Sequence, residues 1–250
     1  MSSGAVTLEV DGPVAWIVLD RPAQRNAMSI AMREALQDAL AQVDGDERLR
    51  IAVLTGAGSA FCAGADLKEA SPPPLSGESV QLSAPLERFS KPLLAAINGP
   101  AIGGGLELAL AADMRIASTA ASFALPEVRI GSLPGSGGTQ RLLHAVGPAL
   151  AGRMIFTGDP LGAPEALRAG LISDVTEPHA LRDRASELAE RVAANAPLSL
   201  AAAKVAMRAG ESAQALALER ALWGLLSLTE DRAEGRQAFR ERRDPRYRGR

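Results

Sequence analysis

The chain has one cysteine, two histidines and only 3% aromatic residues in 250. With Cys62 alone, no intrachain disulfide can form, and a reducing compartment is permitted. His144 and His179 have no ligand-type neighbours, and HExxH, CxxC and acidic calcium-loop patterns are all missing. A catalytic metal is therefore not expected, nor is any resident cofactor. No apolar run approaches the roughly 18 residues of a membrane span. The opening MSSGAVTLEV has neither a basic segment before an apolar run nor an Arg-rich amphipathic stretch. The expectation is a soluble, cytoplasmic protein. A net charge of −2 offers no footprint for nucleic acid or an anionic membrane as partner. Nucleotide and serine-hydrolase signatures fail as well. There is no Walker A sequence, Phe61 stands where Gly56-Ala57-Gly58 would need a third glycine, and Pro134 breaks a nucleophile elbow around Ser136.

What the chain does have is small apolar residues. Nearly half of it is apolar (47%) and 24 residues are glycine, so close backbone packing fills much of the interior. The length suits one compact domain with room for a helical appendage, and the core needs no staple. Val6, Leu8 and Val10 alternate with polar residues before Asp11-Gly12, and Val14 to Leu19 follows, which predicts a hairpin. Ser29 is placed to cap a helix whose buried stripe is Met32, Leu36, Leu40 and Val43. Ile51–Leu54 and Leu93–Ile97 read as short buried strands, so the class is α/β. From about Pro197 helical spacing takes over, as in Leu218, Leu222, Leu225 and Thr229. Ser71–Gly77 and Asp244–Arg250 read as exposed loops.

Chemistry concentrates at three glycine-bearing strand ends. In TGAGSAFCAGADLKE (Thr55–Glu69), Ala63, Gly64 and Ala65 allow close approach of backbone and present N–H groups, or form a tight loop and nothing more. In AAINGPAIGGGLELALAAD (Ala95–Asp113), three glycines open an apolar helix whose N-terminal N–H groups attract negative charge. Glu107 stands on its first turn, where a carboxylate equally serves to complement the helix dipole. In ASFALPEVRIGSLPGSGGTQRL (Ala121–Leu142), Glu127 precedes a Gly/Pro-rich loop and a helix opening near Gly137. Two carboxylates and two sets of N–H groups converging on one cleft would suit acid–base chemistry on a carbonyl compound.

These segments, with RPAQRNAM (Arg21–Met28), GLISDV (Gly170–Val175) and EDRAEGRQAFRERRDP (Glu230–Pro245), closely resemble the crotonase, or enoyl-CoA hydratase/isomerase, superfamily from about Val6 to the C-terminus. The resemblance implies a spiral of ββα units over residues 1–196. It also implies a helical region over 197–250 that covers the active site and assembles the chain into a homotrimer or a dimer of trimers. It places the oxyanion-hole N–H groups at Ala65 and Gly104, the water-activating carboxylate at Glu107 and the proton donor to the α-carbon at Glu127. The acyl-CoA thioester would lie along Arg25, Ala27, Ala63, Ala65, Asp66 and Leu67, with Gly104, Pro126, Glu127 and Gly135 around its acyl part. Arg242 and Arg243 either help with the nucleotide phosphates or form a solvated charged end. Trp223 either reaches a neighbouring subunit's acyl pocket or packs within the helical region. Cys62 reads as a packing residue rather than a nucleophile. The implied activity is syn hydration of a trans-2-enoyl-CoA. The alternatives are a Δ3,Δ2-enoyl-CoA isomerase, another acyl-CoA enzyme of the fold, or a non-catalytic acyl-CoA binder. Ser71–Pro85 looks short beside relatives and borders the acyl pocket.

Overall fold

The computed structural model describes residues 5–69, 82–210 and 212–250. The expected Ser71–Gly77 loop lies outside them. The hairpin is present as β1 (Val6–Asp11) and β2 (Val14–Leu19), turning at Gly12 with φ 54°. Ser29 caps α1 (Ile30–Gly45) by accepting from the Met32 amide at 3.2 Å, and Met32, Leu36, Leu40 and Val43 are all buried. The chain continues through β3 (Ile51–Gly56), α2 (Ala84–Arg88), β4 (Leu93–Ile97), β5 (Ala101–Ile102) and α3 (Gly104–Ala111). Then come β6 (Met114–Ser118), β7 (Ser122–Ala124), a 3-10 turn at Glu127–Ile130, α4 (Gly138–Thr157) and β8 (Leu161–Gly162). The last core elements are α5 (Ala163–Arg168), β9 (Asp174–Thr176) and α6 (Leu181–Ala193). Three helices end the chain: α7 (Pro197–Arg208), α8 (Ala213–Leu226) and α9 (Glu230–Glu241).

The large sheet runs β1-β2-β3-β4-β6-β9 and is parallel except for β1, while β5-β7-β8 form a small second sheet. The repeats β4-β5-α3 and β6-β7-α4 each send one strand to the large sheet and a short one to the small sheet before the helix, while β1 and β2, ahead of α1, both lie in the large sheet. This is the expected mixed α/β spiral of ββα units with helices at the C-terminal end. Alternation along the strands divides the core. Ala15, Ile17, Leu19, Ala52, Leu54, Ala95 and Ile97 face the main cluster with α1 and α3. Val14, Trp16, Ile51, Val53, Leu94 and Ala96 face α6 through Leu181, Ala185 and Ala189. Both faces are dry, which is why these strands read as continuous apolar runs. Among the described residues, no helix is long and apolar enough to cross a membrane.

From Pro197, where α7 begins, only helices follow, and α6 before it already covers the sheet's second face. Residues 244–250, read as an exposed loop, are irregular but anchored. Arg248 and Gly249 donate backbone N–H groups to the buried Asp231 carboxylate at 2.7 and 2.8 Å. The terminal helices are pinned to the core at Asp113, which accepts from the Leu93 amide (2.8 Å), Lys204 Nζ (2.8 Å) and Arg208 (3.0 Å). Lys204 is buried, its Nζ also donates to Lys91 O, and burial pushes its ammonium below its ordinary value against the opposing pull of Asp113. Asp113→Asn leaves that ammonium without its counter-charge. The variant is expected to lose about 3 kcal/mol of stability in a denaturant titration. An unchanged midpoint would show that the clamp is unimportant.

Candidate active site

The loop after β3 is held from the opposite side by Asn26, which is fully buried. Its side-chain amide donates to Ala57 O (3.0 Å), Ala60 O (2.8 Å) and Phe61 O (3.2 Å), and its Oδ1 accepts from the Arg21 amide. Arg25 and Asn26 both adopt left-handed φ, 51° and 57°, to make this turn. The turn is then stitched to Ala63–Asp66 by backbone bonds from Ala63 N to Arg25 O and from Asp66 N to Met28 O. Cys62 is sealed in the core, and burial pushes its thiol up to about 12, so packing is its role.

Gly64 turns with φ 88° directly against the start of α3, where a Cβ would lie 2.8 Å from Ile102 O and 3.1 Å from Gly104 N. A Cβ on Gly104 would in turn stand 3.6 Å from Ala65 N. The amides of Ala65 and Gly104 are thus neighbours, and among the described residues neither has an acceptor. For Gly104 this follows from position, since the first N–H groups of a helix have no intrahelical partner. Gly103, with φ 56°, brings β7 alongside by donating its backbone N–H to Ala124 O. Any Cβ at Gly103 would come 3.1 Å from Glu127 Oε1, so this glycine lets the carboxylate approach the helix start.

Glu107 is buried on the first turn of α3, and its Oε1 accepts from the amides of Ser136 (2.6 Å) and Gly138 (3.0 Å) at the mouth of α4. It is thus a gripped carboxylate pointing into the junction, which a dipole-complementing surface Glu would not be. Burial raises its affinity for a proton, while the Gly138 and Ser136 amides and Arg141 oppose the shift. Glu127 opens the 3-10 turn, and its Oε2 is buried with no partner among the described residues. Burial, reinforced by the charge of Glu107, pushes its proton affinity above the usual carboxylate value. Glu107 accepts from two backbone amides of another segment, whereas Glu127 is bonded only by its own backbone amide and keeps Oε2 without a partner among the described residues, so the two carboxylates stand in unequal surroundings.

The expected Ala63, Ala65, Asp66, Leu67, Gly104, Glu107, Pro126, Glu127 and Gly135 line a single cleft of about 1390 Å³. Arg25 and Ala27 do not line it and lie behind Ala63. Asp66 is tied to Arg21 at 3.2 Å. Arg243 is engaged by Glu234 and Glu241 of its own chain, which favours the charged-end reading for that residue. Trp223 is 65% exposed, so the helical region of its own chain does not bury it. Sequence reasoning gave no role to Asn26, to the Ser136 and Gly138 amides, or to Leu82, which abuts Gly104. An asparagine inside RNAM was the only signal for the first, and backbone donors leave none.

The family described as enoyl-CoA hydratase/isomerase matches residues 9–250. The chain is 46% identical to (E)-benzylidenesuccinyl-CoA hydratase of Thauera aromatica, over 98% of this chain and 99% of that one. It is 42% identical to 2,3-dehydroadipyl-CoA hydratase of Escherichia coli (strain K12), over 95% and 96%. Among solved structures, enoyl-CoA hydratase from Bacillus anthracis superposes with a TM-score of 0.92 at 38% identity, covering 98% of this chain and 100% of that one.

Proposed function

The chain belongs to the enoyl-CoA hydratase/isomerase family, and from that membership and the cleft's geometry we propose that it adds water across a trans-2-enoyl-CoA to give a 3-hydroxyacyl-CoA. The thioester oxygen sits between the N–H groups of Ala65 and Gly104. Ionised Glu107 takes a proton from water as the water oxygen bonds to the β-carbon. The electron pair of the double bond moves onto the thioester oxygen, where the two amides hold the enolate. Protonated Glu127 then delivers its proton to the α-carbon, and the two carboxyl groups re-equilibrate through solvent. The observation that carries this reading is the pair of unequal carboxylates beside two acceptor-free amides. Ala63, Asp66 and Leu67 would border the CoA arm, with Arg25 and Ala27 supporting Ala63 from behind, and Pro126 and Gly135 would border the acyl group.

Incubation with six-carbon 2-enoyl- and 3-enoyl-CoA, followed by mass analysis, tests the reaction class. A mass gain of one water from the 2-enoyl substrate supports hydration. Interconversion without mass change would make the chain an isomerase, and neither outcome with retained binding would make it a binder.

The helical end carries Trp223, Leu225, Leu228 and Phe239 at 65%, 63%, 85% and 86% exposure, which supports burial by further copies of the chain as a homotrimer or dimer of trimers. A cytoplasmic location suits this chemistry.

The raised proton affinity of Glu127 also predicts a stability effect. A carboxyl that binds its proton more tightly in the folded chain contributes stability at low pH, and that contribution is lost as pH rises through the folded-state value. Glu127→Gln avoids the loss. It should melt higher than the parent at about pH 8 and converge with it near about pH 4. A lower melting point at both pH values would mean that Glu127 is a structural carboxylate.

A further inference from the structure

The cleft extends beyond the residues assigned to the thioester and the CoA arm. Apolar walls are added to it by Leu82, by Leu36 and Leu40 of α1, by Ala84 and Pro85 of α2, and by Phe89 just after α2. Arg33, on the same helix as Leu36, lines the same cleft. Its Nε is buried without a hydrogen-bond partner, and among the described residues no ion pair or hydrogen bond engages its guanidinium. That is unusual for a group that stays charged at every physiological pH and carries five donors. Leaving a buried donor unpaired costs stability.

The neighbouring charges do not satisfy it. Asp44 accepts from Ser90, Glu69 from the Ile30 amide, and Asp66 from Arg21. Glu107 is gripped by two amides, and Glu34, adjacent on the helix, makes no pair with Arg33. Arg129, which also lines the cleft, is engaged by Thr157 O and Asp159.

We propose that Arg33 is a specificity residue that receives a carboxylate at the far end of the acyl chain, so that the preferred substrate is the CoA thioester of a dicarboxylic acid. This deepens the hydratase reading and rests on it for turnover, though not for binding. A planar guanidinium takes a carboxylate through two parallel bonds, an arrangement that lysine cannot reproduce. The apolar walls of the cleft that holds both glutamates and Arg33 would take the methylene groups, and an acyl chain ending in methyl would leave the cation unpaired. Discrimination of this kind arises because the wrong substrate strands a buried donor.

Two six-carbon trans-2-enoyl-CoA substrates, one ending in a carboxylate and one in a methyl group, provide the test. Their saturated analogues are titrated calorimetrically in parallel. In the wild type, kcat/KM is expected to favour the carboxylate form at least tenfold, and the saturated carboxylate form should bind more tightly than the methyl form. Arg33→Leu should reverse or abolish both preferences, with the loss expressed mainly in KM, and Arg33→Lys should restore only part. Arg33→Leu should also melt no lower than the parent, whereas an arginine retained for folding would lower it. Equal preference in the wild type, or a preference that survives Arg33→Leu, overturns the proposal. If neither substrate is hydrated, the hydratase reading fails, and the calorimetric preference alone supports or refutes Arg33.

Discussion

Glu107→Gln is expected to hydrate crotonyl-CoA about a thousandfold more slowly than the parent, within the 10²–10⁴ range of a positioned acid or base. The amide of glutamine can still accept from Ser136 and Gly138, so the fold and KM should change little while kcat falls. Glu127→Gln is expected to fall by a similar factor for the opposite reason, since it lacks the acidic proton that the α-carbon receives. The two groups serve one addition, so the double variant should be only slightly slower than the worse single variant. The pH profile of kcat/KM should be bell-shaped. Protonation of Glu107 sets the acid limb and ionisation of Glu127 the alkaline limb, and both lie above the usual carboxylate value because both groups are pushed upward by burial. Near-parental rates in either single variant would remove that residue from the mechanism.

Gly104→Ala should be almost as damaging without touching a carboxylate. A Cβ there would overlap Leu82 Cδ1 and approach the Ala65 amide, intruding on the space where the thioester oxygen must sit. Loss of one such donor costs about 10²–10³ in kcat. The obstructing atom in the fold is the end of a flexible side chain, so the protein should still fold. Gly105→Ala provides the contrast. Its Cβ would collide with the backbone carbonyl of Cys62, which cannot step aside, so this variant should melt well below the parent. The predicted pattern is that the first substitution removes activity at nearly constant stability and the second removes stability. A folded, active Gly104→Ala protein would place the oxyanion elsewhere.

The parts of the molecule that were legible in the sequence are those governed by local periodicity. The Ser29 cap, the four-residue stripe on α1 and the β1-β2 hairpin follow from side-chain spacing. The buried strands β3 and β4 were legible because both their faces are apolar. Glu107 and Glu127 stood out as carboxylates at glycine-bearing junctions, but their separate roles came only from the family resemblance, because twenty residues of separation say nothing about contact until β6 and β7 fold the chain back. What remained hidden is carried by backbone or by long-range packing. The Ser136 and Gly138 amides that grip Glu107 have no side-chain signature. Asn26 reveals its function only when three carbonyls from 57–61 arrive around it. The role of α6 was missed because its burial depends on the sheet's second face, and the exposure of Trp223 is a property of the folded surface that spacing along α8 does not encode.

The most direct measurement of the proposed chemistry follows the conjugated-thioester absorbance of crotonyl-CoA after mixing with the wild type and with Glu107→Gln/Glu127→Gln. Rapid loss in the wild type, with 3-hydroxybutyryl-CoA as product and near-abolition in the folded double variant, is the predicted result. Absorbance that persists with the wild type, or decays equally with the double variant, would contradict hydration by these two carboxylates.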